Sequence, residues 1–483
     1  MQKENNCMNF EPVIGLEIHV ELKTKSKMFS SAPVTYGKEP NTQIAPLDIA
    51  FPGTMPTVNK EAVIYAIRVS NALHMNIDHE LHFDRKNYFY SDLPKGYQIT
   101  QNLRPIGSDG YLEIDVSSGK RKIGIERLHI EEDTCKQLHF KDFTLLNYNR
   151  AGTPLIEIVS RPEIRSGEEA MKYVETIRSI VVFSDVSDGK MEEGSLRCDV
   201  NISLRPYGSN KFGTKVEIKN INSISYIQKA IDFEIERQTK MLLNNEPIRQ
   251  ETRRYDSAKN ETILMRVKTD AVDYKYFPED NITPIKLSDE FVDSAIKSCP
   301  ELAQEKKNRY LNKFGLNEYD ASLLIADKDV AKYFDECAKL SSSYKMLANW
   351  INVEIAAYLN KNFLTINDLK MKPSSLVGLV NMIEKSEINS NQAKEIFARM
   401  IKDNIEASVA KEALGIASQV SDETFVIDII NKVLEENPQA IIDYKEGKGR
   451  ALGFLVGQVM KKSQGKVNPK LTNELLLKEL QKR

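Results

Sequence analysis

Three short apolar runs carry ionisable groups at positions where a core strand would have none: Gly15-Leu-Glu-Ile-His-Val-Glu-Leu22, Arg127-Leu-His-Ile-Glu-Glu-Asp133 and Leu155-Ile-Glu-Ile-Val159. Successive side chains of a strand point to opposite faces, so Glu17, His19 and Glu21 fall on one face while Leu16, Ile18, Val20 and Leu22 fill the other. A carboxylate beside an imidazole in half-buried surroundings is costly unless a cation or a substrate sits there. The pattern recurs in Met191-Glu-Glu-Gly-Ser-Leu-Arg-Cys-Asp-Val-Asn-Ile-Ser-Leu204, where Arg197, Asp199, Asn201 and Ser203 share a face, and in Val216-Glu-Ile-Lys219. Several carboxylates with one imidazole, His19, make an oxygen-rich donor set that suits Mg²⁺ or Mn²⁺ rather than zinc. Without a cation, such a cluster sets like charges against one another. The plain alternative for any single acid, Glu157 included, is an exposed position on an edge strand.

The elements that must position these groups fall in two classes. Strand-like runs and glycine turns fill residues 13–289, interrupted by helical periodicity at 60–73 and 167–183. From Ser288, which can cap a helix with Phe291, Val292, Ala295 and Ile296 on its apolar face, the chain reads as helical. Pro373-Ser-Ser opens a further helix, and after a change of pattern at 405–421 the stretches 425–435 and 450–462 read as helices of a small C-terminal unit. The expected class is α+β: a β-rich domain with a mixed sheet and helices over 1–293, an all-α domain over 294–405, and a small all-α tail over 406–483.

Composition bounds the function. At 483 residues the chain exceeds a single core, and 41% apolar with 28% charged residues is the balance of a globular protein without a membrane-spanning run. No signal peptide opens it, so the cytoplasm is the default. The five cysteines, at 7, 135, 198, 299 and 337, form no CxxC pair, which argues for free thiols and against a zinc–cysteine site. A net charge of −2 hides a basic end that carries Lys448, Arg450, Lys461, Lys462 and Lys466, a pattern that fits phosphate contacts as well as a solvated helix pair. His74, His79 and His82 follow no standard metal spacing. Gly208-Ser-Asn-Lys-Phe-Gly-Thr-Lys215 is close to a phosphate-binding loop but has its last two residues exchanged, and reads as a hairpin turn; Gly447-Lys-Gly449 lacks a preceding strand.

Longer motifs then connect these runs. Residues 13–22, Ser26-Lys-Met-Phe29, 84–101, 128–133, Gly152-Thr-Pro-Leu-Ile-Glu-Ile-Val-Ser160, 191–201, Glu217-Ile-Lys-Asn-Ile-Asn-Ser223 and Gln250-Glu-Thr-Arg253 resemble the GatB family of tRNA-dependent amidotransferase components. Gly447-Lys-Gly-Arg-Ala-Leu-Gly-Phe-Leu-Val-Gly-Gln458 is similar to that family's YqeY-like tail, so the resemblance covers essentially the whole chain. It implies a cradle-shaped catalytic domain, a helical domain and a tRNA-binding tail, in a heterotrimer with a glutaminase partner and a small third partner. It further implies a ligase that uses ATP and Mg²⁺ to activate the side-chain carboxylate of Glu-tRNA(Gln) or Asp-tRNA(Asn) for amidation by ammonia.

Residue by residue, the resemblance places metal and ATP phosphates at Glu17, His19, Glu131, Glu132, Glu157, Asp199 and Glu217, with catalytic roles for Glu132, Glu157, Asp199 and Arg150. Lys86, Tyr88, Lys95 and Gln98 match the ammonia route, and Lys448, Arg450, Lys461, Lys462 and Lys466 the tRNA contacts. The chain departs from the family pattern at Ser91, Cys135, Asn147, Arg161 and Asp280-Asn281 while keeping the presumed ligands, which implies an active, divergent member. Two other classes stay open: a non-catalytic tRNA-binding member of the same complex, and a stand-alone ATP-dependent carboxylate–amine ligase.

Overall fold

The computed structural model describes residues 10–267, 273–416, 423–446, 448–463, 467 and 469–482, in two compact units, Met1–Ala303 and Gln304–Arg483. The first unit is built on a nine-stranded sheet. Its strands are β1 (Phe10–Glu21), β2 (Asn76–Ile77), β6 (Gly107–Val116), β7 (Gly119–Glu132), β10 (Pro154–Ser160), β11 (Leu196–Pro206), β12 (Val216–Lys219), β13 (Glu251–Asp256) and β14 (Glu261–Val267). They lie in the order β14-β13-β12-β11-β1-β10-β7-β6-β2. Every neighbouring pair is antiparallel except β12 and β13, which are parallel. The crossover that parallel pairing requires is the helix Ile224–Leu243. Smaller sheets join β3 (Glu80–Leu81) to β16 (Ile285–Lys286), β8 (Lys136–His139) to β9 (Thr144–Asn147), and β15 (Phe277–Pro278), β4 (Asp84–Asn87) and β5 (Tyr97–Thr100) in one strip.

Alternation decides which face is packed. In β1 the apolar residues Ile14, Leu16, Ile18 and Val20 are almost fully buried, while Gly15, Glu17, His19 and Glu21 keep partial exposure. The same split occurs in β11, with Cys198, Val200 and Ile202 buried and Arg197, Asp199 and Asn201 on the other face. Helices Lys60–Ala72, Gly167–Phe183 and Ile224–Leu243 cover the apolar face, packing on β7, β6 and β11 respectively. The first two begin where the sequence provides a cap: Asn59 accepts from the amides of Glu61 and Ala62, and Ser166 from Glu169. One contiguous core results, and the polar face of the sheet is left to other work.

The second unit is helical. Its described helices wrap two separate apolar clusters, one around Phe334, Leu347, Leu376 and Ile396 that still includes Ala407 and Ala410, the other around Ile430, Leu455 and Leu476. The helix Arg450–Lys462 matches the predicted span, while the helix Asp289–Lys297, capped by Ser288 through the Phe291 amide, belongs to the first unit, where Val292 and Ala295 join its core. No helix among the described residues is long and apolar enough to cross a membrane. The run 208–215 lies between antiparallel β11 and β12, not between a strand and a helix, as a phosphate-binding loop requires. A Cβ on Gly213 would come 2.0 Å from the Leu204 carbonyl oxygen, so glycine is needed there for close backbone approach.

The sheet's far edge is fastened by an ionic knot. Glu234, fully buried on the Ile224–Leu243 helix, accepts from Arg237 Nε and Nη2 at 2.9 Å and from Gln238 at 2.9 Å, and lies 3.2 Å from Arg253 Nε on β13. Removing one partner of such a buried set strands the others. Glu234→Ala should therefore lower stability by about 3–5 kcal/mol, read as an earlier urea transition by far-UV circular dichroism; an unmoved midpoint would contradict the knot's role.

Candidate functional site

The polar face of the sheet brings distant segments into one row. Register sets Arg197 of β11 opposite His19 of β1, His19 opposite Glu157 of β10, and Glu157 opposite His129 of β7. The next row on that face aligns Glu21, Leu155 and Glu131, and the row on the other side aligns Asp199 with Glu17. Directly opposed side chains in a sheet lie within reach of one another, so these rows become contacts.

His19 Nε2 is 3.4 Å from Glu157 Oε2 and 3.6 Å from Glu131 Oε1. One ligand atom from each of His19, Glu131 and Glu157 can be chosen so that all lie within 4.8 Å of one another, a spacing that fits a single metal ion. A second imidazole, His129, stands against the same carboxylates, with Nε2 3.1 Å from Glu157 Oε2 and 3.5 Å from Glu131 Oε2. The sequence reading expected His19 alone, although the alternation that groups Glu17 with His19 also groups His129 with Glu131. Burial works against a charged His129, but Glu157 and Glu131 outweigh it and raise its pKa to about 9. The same contest raises His19 and, with both imidazoles facing it, holds Glu157 well below the usual carboxylate range. His129 Nδ1 is buried and has no hydrogen-bond partner among the described residues, which leaves Nε2 as the nitrogen that serves the carboxylates. Two carboxylates, one partly exposed imidazole and a second imidazole behind them fit a divalent cation, which would take over the neutralising role that protons on the imidazoles otherwise fill.

The remaining candidates lie around this centre. Glu132 follows Glu131 and so points through the opposite side of β7, where Lys95 and the Ile99 amide bind its Oε1 and Gln98 donates to its carbonyl. It is apart from the His19 cluster, as the period of two requires. Lys86 of β4 is held at 4.9 Å from the Tyr274 ring; burial opposes its charge, yet Glu131, Tyr276 and Glu157 raise its pKa. Tyr88 packs edge-on against Tyr274 at 6.0 Å, and Tyr274 in turn on Tyr276. Asp199 and Glu217 do not reach the His19 cluster as ligands: Lys219 bridges them, and Thr252 donates to Glu217 at 2.8 Å. Glu17 accepts from Asn201 at 2.9 Å. His79 pairs with Asp289, and His82 with Glu80, away from the cluster.

At the other end of the row, Asp133 gathers cations. Arg197 Nη2 approaches its Oδ2 at 2.8 Å and Arg150 Nε at 3.4 Å, while Arg150 also donates to the Thr134 and Cys135 carbonyls. Glu21 is the proton-bearing neighbour: burial, then the Asp133 charge, push its pKa up to about 8. A cavity of about 710 Å³ opens here, bounded by Glu21, Arg150, Thr153, Lys136 and Tyr36 among others. In the tail, Lys448 pairs with Asp443 at 2.8 Å and with Glu446, Lys462 pairs with Glu436, and Lys461 is exposed. Lys448, Arg450 and Phe454 border a second cavity of about 720 Å³, and Lys466 lies outside the described residues.

Known proteins share this architecture's sequence. Residues 12–293 match the family described as GatB/GatE catalytic domain, and residues 332–480 that described as GatB domain. Relatives named as the B subunit of aspartyl/glutamyl-tRNA(Asn/Gln) amidotransferase, from Staphylococcus saprophyticus and Staphylococcus carnosus, are each 48% identical over 476 residues, covering 99% of this chain and 100% of theirs. The protein of the same name from Oceanobacillus iheyensis is 48% identical over 477 residues, with 99% and 100% covered. The acid- and imidazole-bearing sheet thus lies within a matched catalytic domain, and the chain belongs to the GatB/GatE family.

Proposed function

We propose that this chain is the carboxylate-activating component of a tRNA-dependent amidotransferase, a carbon–nitrogen ligase that converts Glu-tRNA(Gln), Asp-tRNA(Asn) or both to their amides. The observation that carries the reading is the His19–Glu157–His129 row with Glu131, on the polar face of the sheet in a GatB/GatE chain. A carboxylate oxygen of the substrate takes the γ-phosphoryl group of ATP and ADP leaves. Ammonia from a glutaminase partner then forms the C–N bond, the acyl C–O bond breaks to release phosphate, and nitrogen gives up its proton.

His19, Glu131 and Glu157 would hold Mg²⁺ or Mn²⁺, whose charge would neutralise the phosphoryl oxygens. His129 steadies Glu157 and Glu131 from behind, the service that outer partners give to metal ligands. Arg150 and Arg197 present guanidinium groups beside Asp133, suited to the phosphate and carboxylate of the substrates. At Asp199 and Glu217 the ammonium of Lys219 already fills a cation's place, so these acids and Glu17 form the adjoining end of the same floor. Lys86 and Tyr88, with Lys95 and Gln98 at Glu132, form the side on which ammonia arrives. The glutaminase and a small third partner complete the heterotrimer. The division into a catalytic domain over 1–293, a helical domain over 294–405 and a tail over 406–483 assigns tRNA contacts to Lys448, Arg450, Lys461, Lys462 and Lys466. A role on tRNA supports a cytoplasmic enzyme.

Two experiments test the reading. In a trimer reconstituted with the glutaminase and the small partner, wild type should amidate misacylated tRNA in an ATP-dependent way. Glu157→Gln should lower that rate by about 10²–10³-fold while glutamine hydrolysis continues and Mn²⁺ binding by calorimetry is lost. Full amidation by the variant would sink the metal-site role, and activity of the chain alone on a free acid would favour a stand-alone ligase. The second concerns Glu21. Its folded pKa is raised from 4.5 to about 8, so the folded state holds the extra proton and stability is lost as pH rises through that window. Glu21→Gln imitates the protonated acid, so its Tm should gain on wild type between about pH 5 and about pH 9; a constant difference would contradict the shift.

A further inference from the structure

The hairpin of β8 and β9 interrupts the catalytic segment between Asp133 and Arg150, and its side chains are unusual for an exposed element. Leu138 faces Leu145 in register and Lys136 faces Asn147, so Lys136, Leu138 and Phe140 on one strand share a face with Phe143, Leu145 and Asn147 on the other. The Phe140 amide bonds the Phe143 carbonyl at 2.8 Å, and the two rings stack at 4.7 Å with 22° between their planes. All four apolar side chains are open to solvent: Leu138 42%, Phe140 53%, Phe143 57% and Leu145 51%. This ladder is continuous with the cavity of about 710 Å³, because its lowest rung, Lys136 and Asn147, lines that cavity together with Tyr36, which is 79% exposed. The cavity runs inward to Arg150 and to Glu21, which lies in the row next to the one that carries His19.

Charge tells what the face can take. Lys38 and Lys136 line the cavity and neither is in an ion pair among the described residues, whereas Asp188, Glu192 and Glu193 also line it. A polyanion entering the cavity is thereby drawn to the lysines and away from those acids. The ladder spans roughly 13 Å from Lys136 to Phe140 at about 3.3 Å per residue, room for a few stacked bases. Single-stranded RNA is held in this manner, with bases on aromatic faces and backbone on cations.

We propose that this face of the hairpin, with Tyr36 at its foot, is the platform on which the unpaired 3′ end of the aminoacylated tRNA stacks as it delivers its carboxylate to the cavity. The proposal rests on the amidotransferase reading above, and adds the element that positions the substrate. Phe140, Phe143 and Tyr36 are positioning residues; none touches the reacting atoms.

The test uses the reconstituted trimer and misacylated tRNA carrying 2-aminopurine in place of the terminal adenosine. On wild type, binding should quench the fluorophore by stacking. The double variant Phe140→Ala/Phe143→Ala should lose the quench and raise KM for tRNA about tenfold or more, with KM for ATP and glutamine hydrolysis unchanged. Phe140→Leu/Phe143→Leu, which keeps apolar bulk without rings, should behave as the alanine variant does. Overturning results are an unaltered quench and KM in both, full rescue by leucine, or a trimer that no longer assembles on gel filtration, the mark of a protein contact. Absence of any amidation by wild type would instead count against the amidotransferase reading, while the quench in wild type and its loss in the variants still judge the platform.

Discussion

The register of four neighbouring strands is the constraint on which the site depends. β1 lies between β10 and β11, and β7 lies beyond β10, so segments far apart in the chain contribute Arg197, His19, Glu157 and His129 to a single line. A slip of one residue in any of them would turn the acids into the helix-covered core and the isoleucines out. Ile14, Leu16, Ile18 and Val20 are therefore as much a part of the site as the acids: their burial against the covering helices fixes the register that the polar face needs.

Electrostatics follows from the same geometry. Two carboxylates, Glu131 and Glu157, are set close together in poor solvation, and two imidazoles facing them make this tolerable, each with its pKa raised by the acids. A divalent cation would do the same with a stronger charge, and would compete with the proton load for one place. At Asp199 and Glu217 the neutralising cation is the ammonium of Lys219. Neighbouring residues reach opposite ends: Glu131 joins the cluster, and Glu132 meets Lys95 and Ile99 on the other side of the strand.

Much of this was legible in the sequence because it is local. Alternation in Gly15–Leu22 and Leu196–Leu204 gave the two faces, and caps such as Ser288 gave helix starts. What stayed hidden is non-local. Which strands pair, and in what register, depends on contacts across more than a hundred residues, so the separation of Asp199 from the His19 cluster had no signature, whereas that of Glu132 follows from its being the next residue after Glu131. His129 is a different case: its period with Glu131 was visible, and its flanks Leu128 and Ile130 match the Ile18 and Val20 that flank His19, so the alternation that singled out His19 applied to it as well. Glu21 likewise showed its face and not its proton, which depends on burial and then on Asp133 arriving from just beyond the end of β7.

The central claim is that the row binds a divalent cation through one imidazole and two carboxylates. Pulsed electron paramagnetic resonance of the assembled complex loaded with Mn²⁺ tests it most directly. The account predicts a nitrogen hyperfine coupling to the bound ion that disappears in His19→Ala and is unchanged in His74→Ala. A bound ion with no nitrogen coupling, or one whose coupling survives the loss of His19, would contradict it.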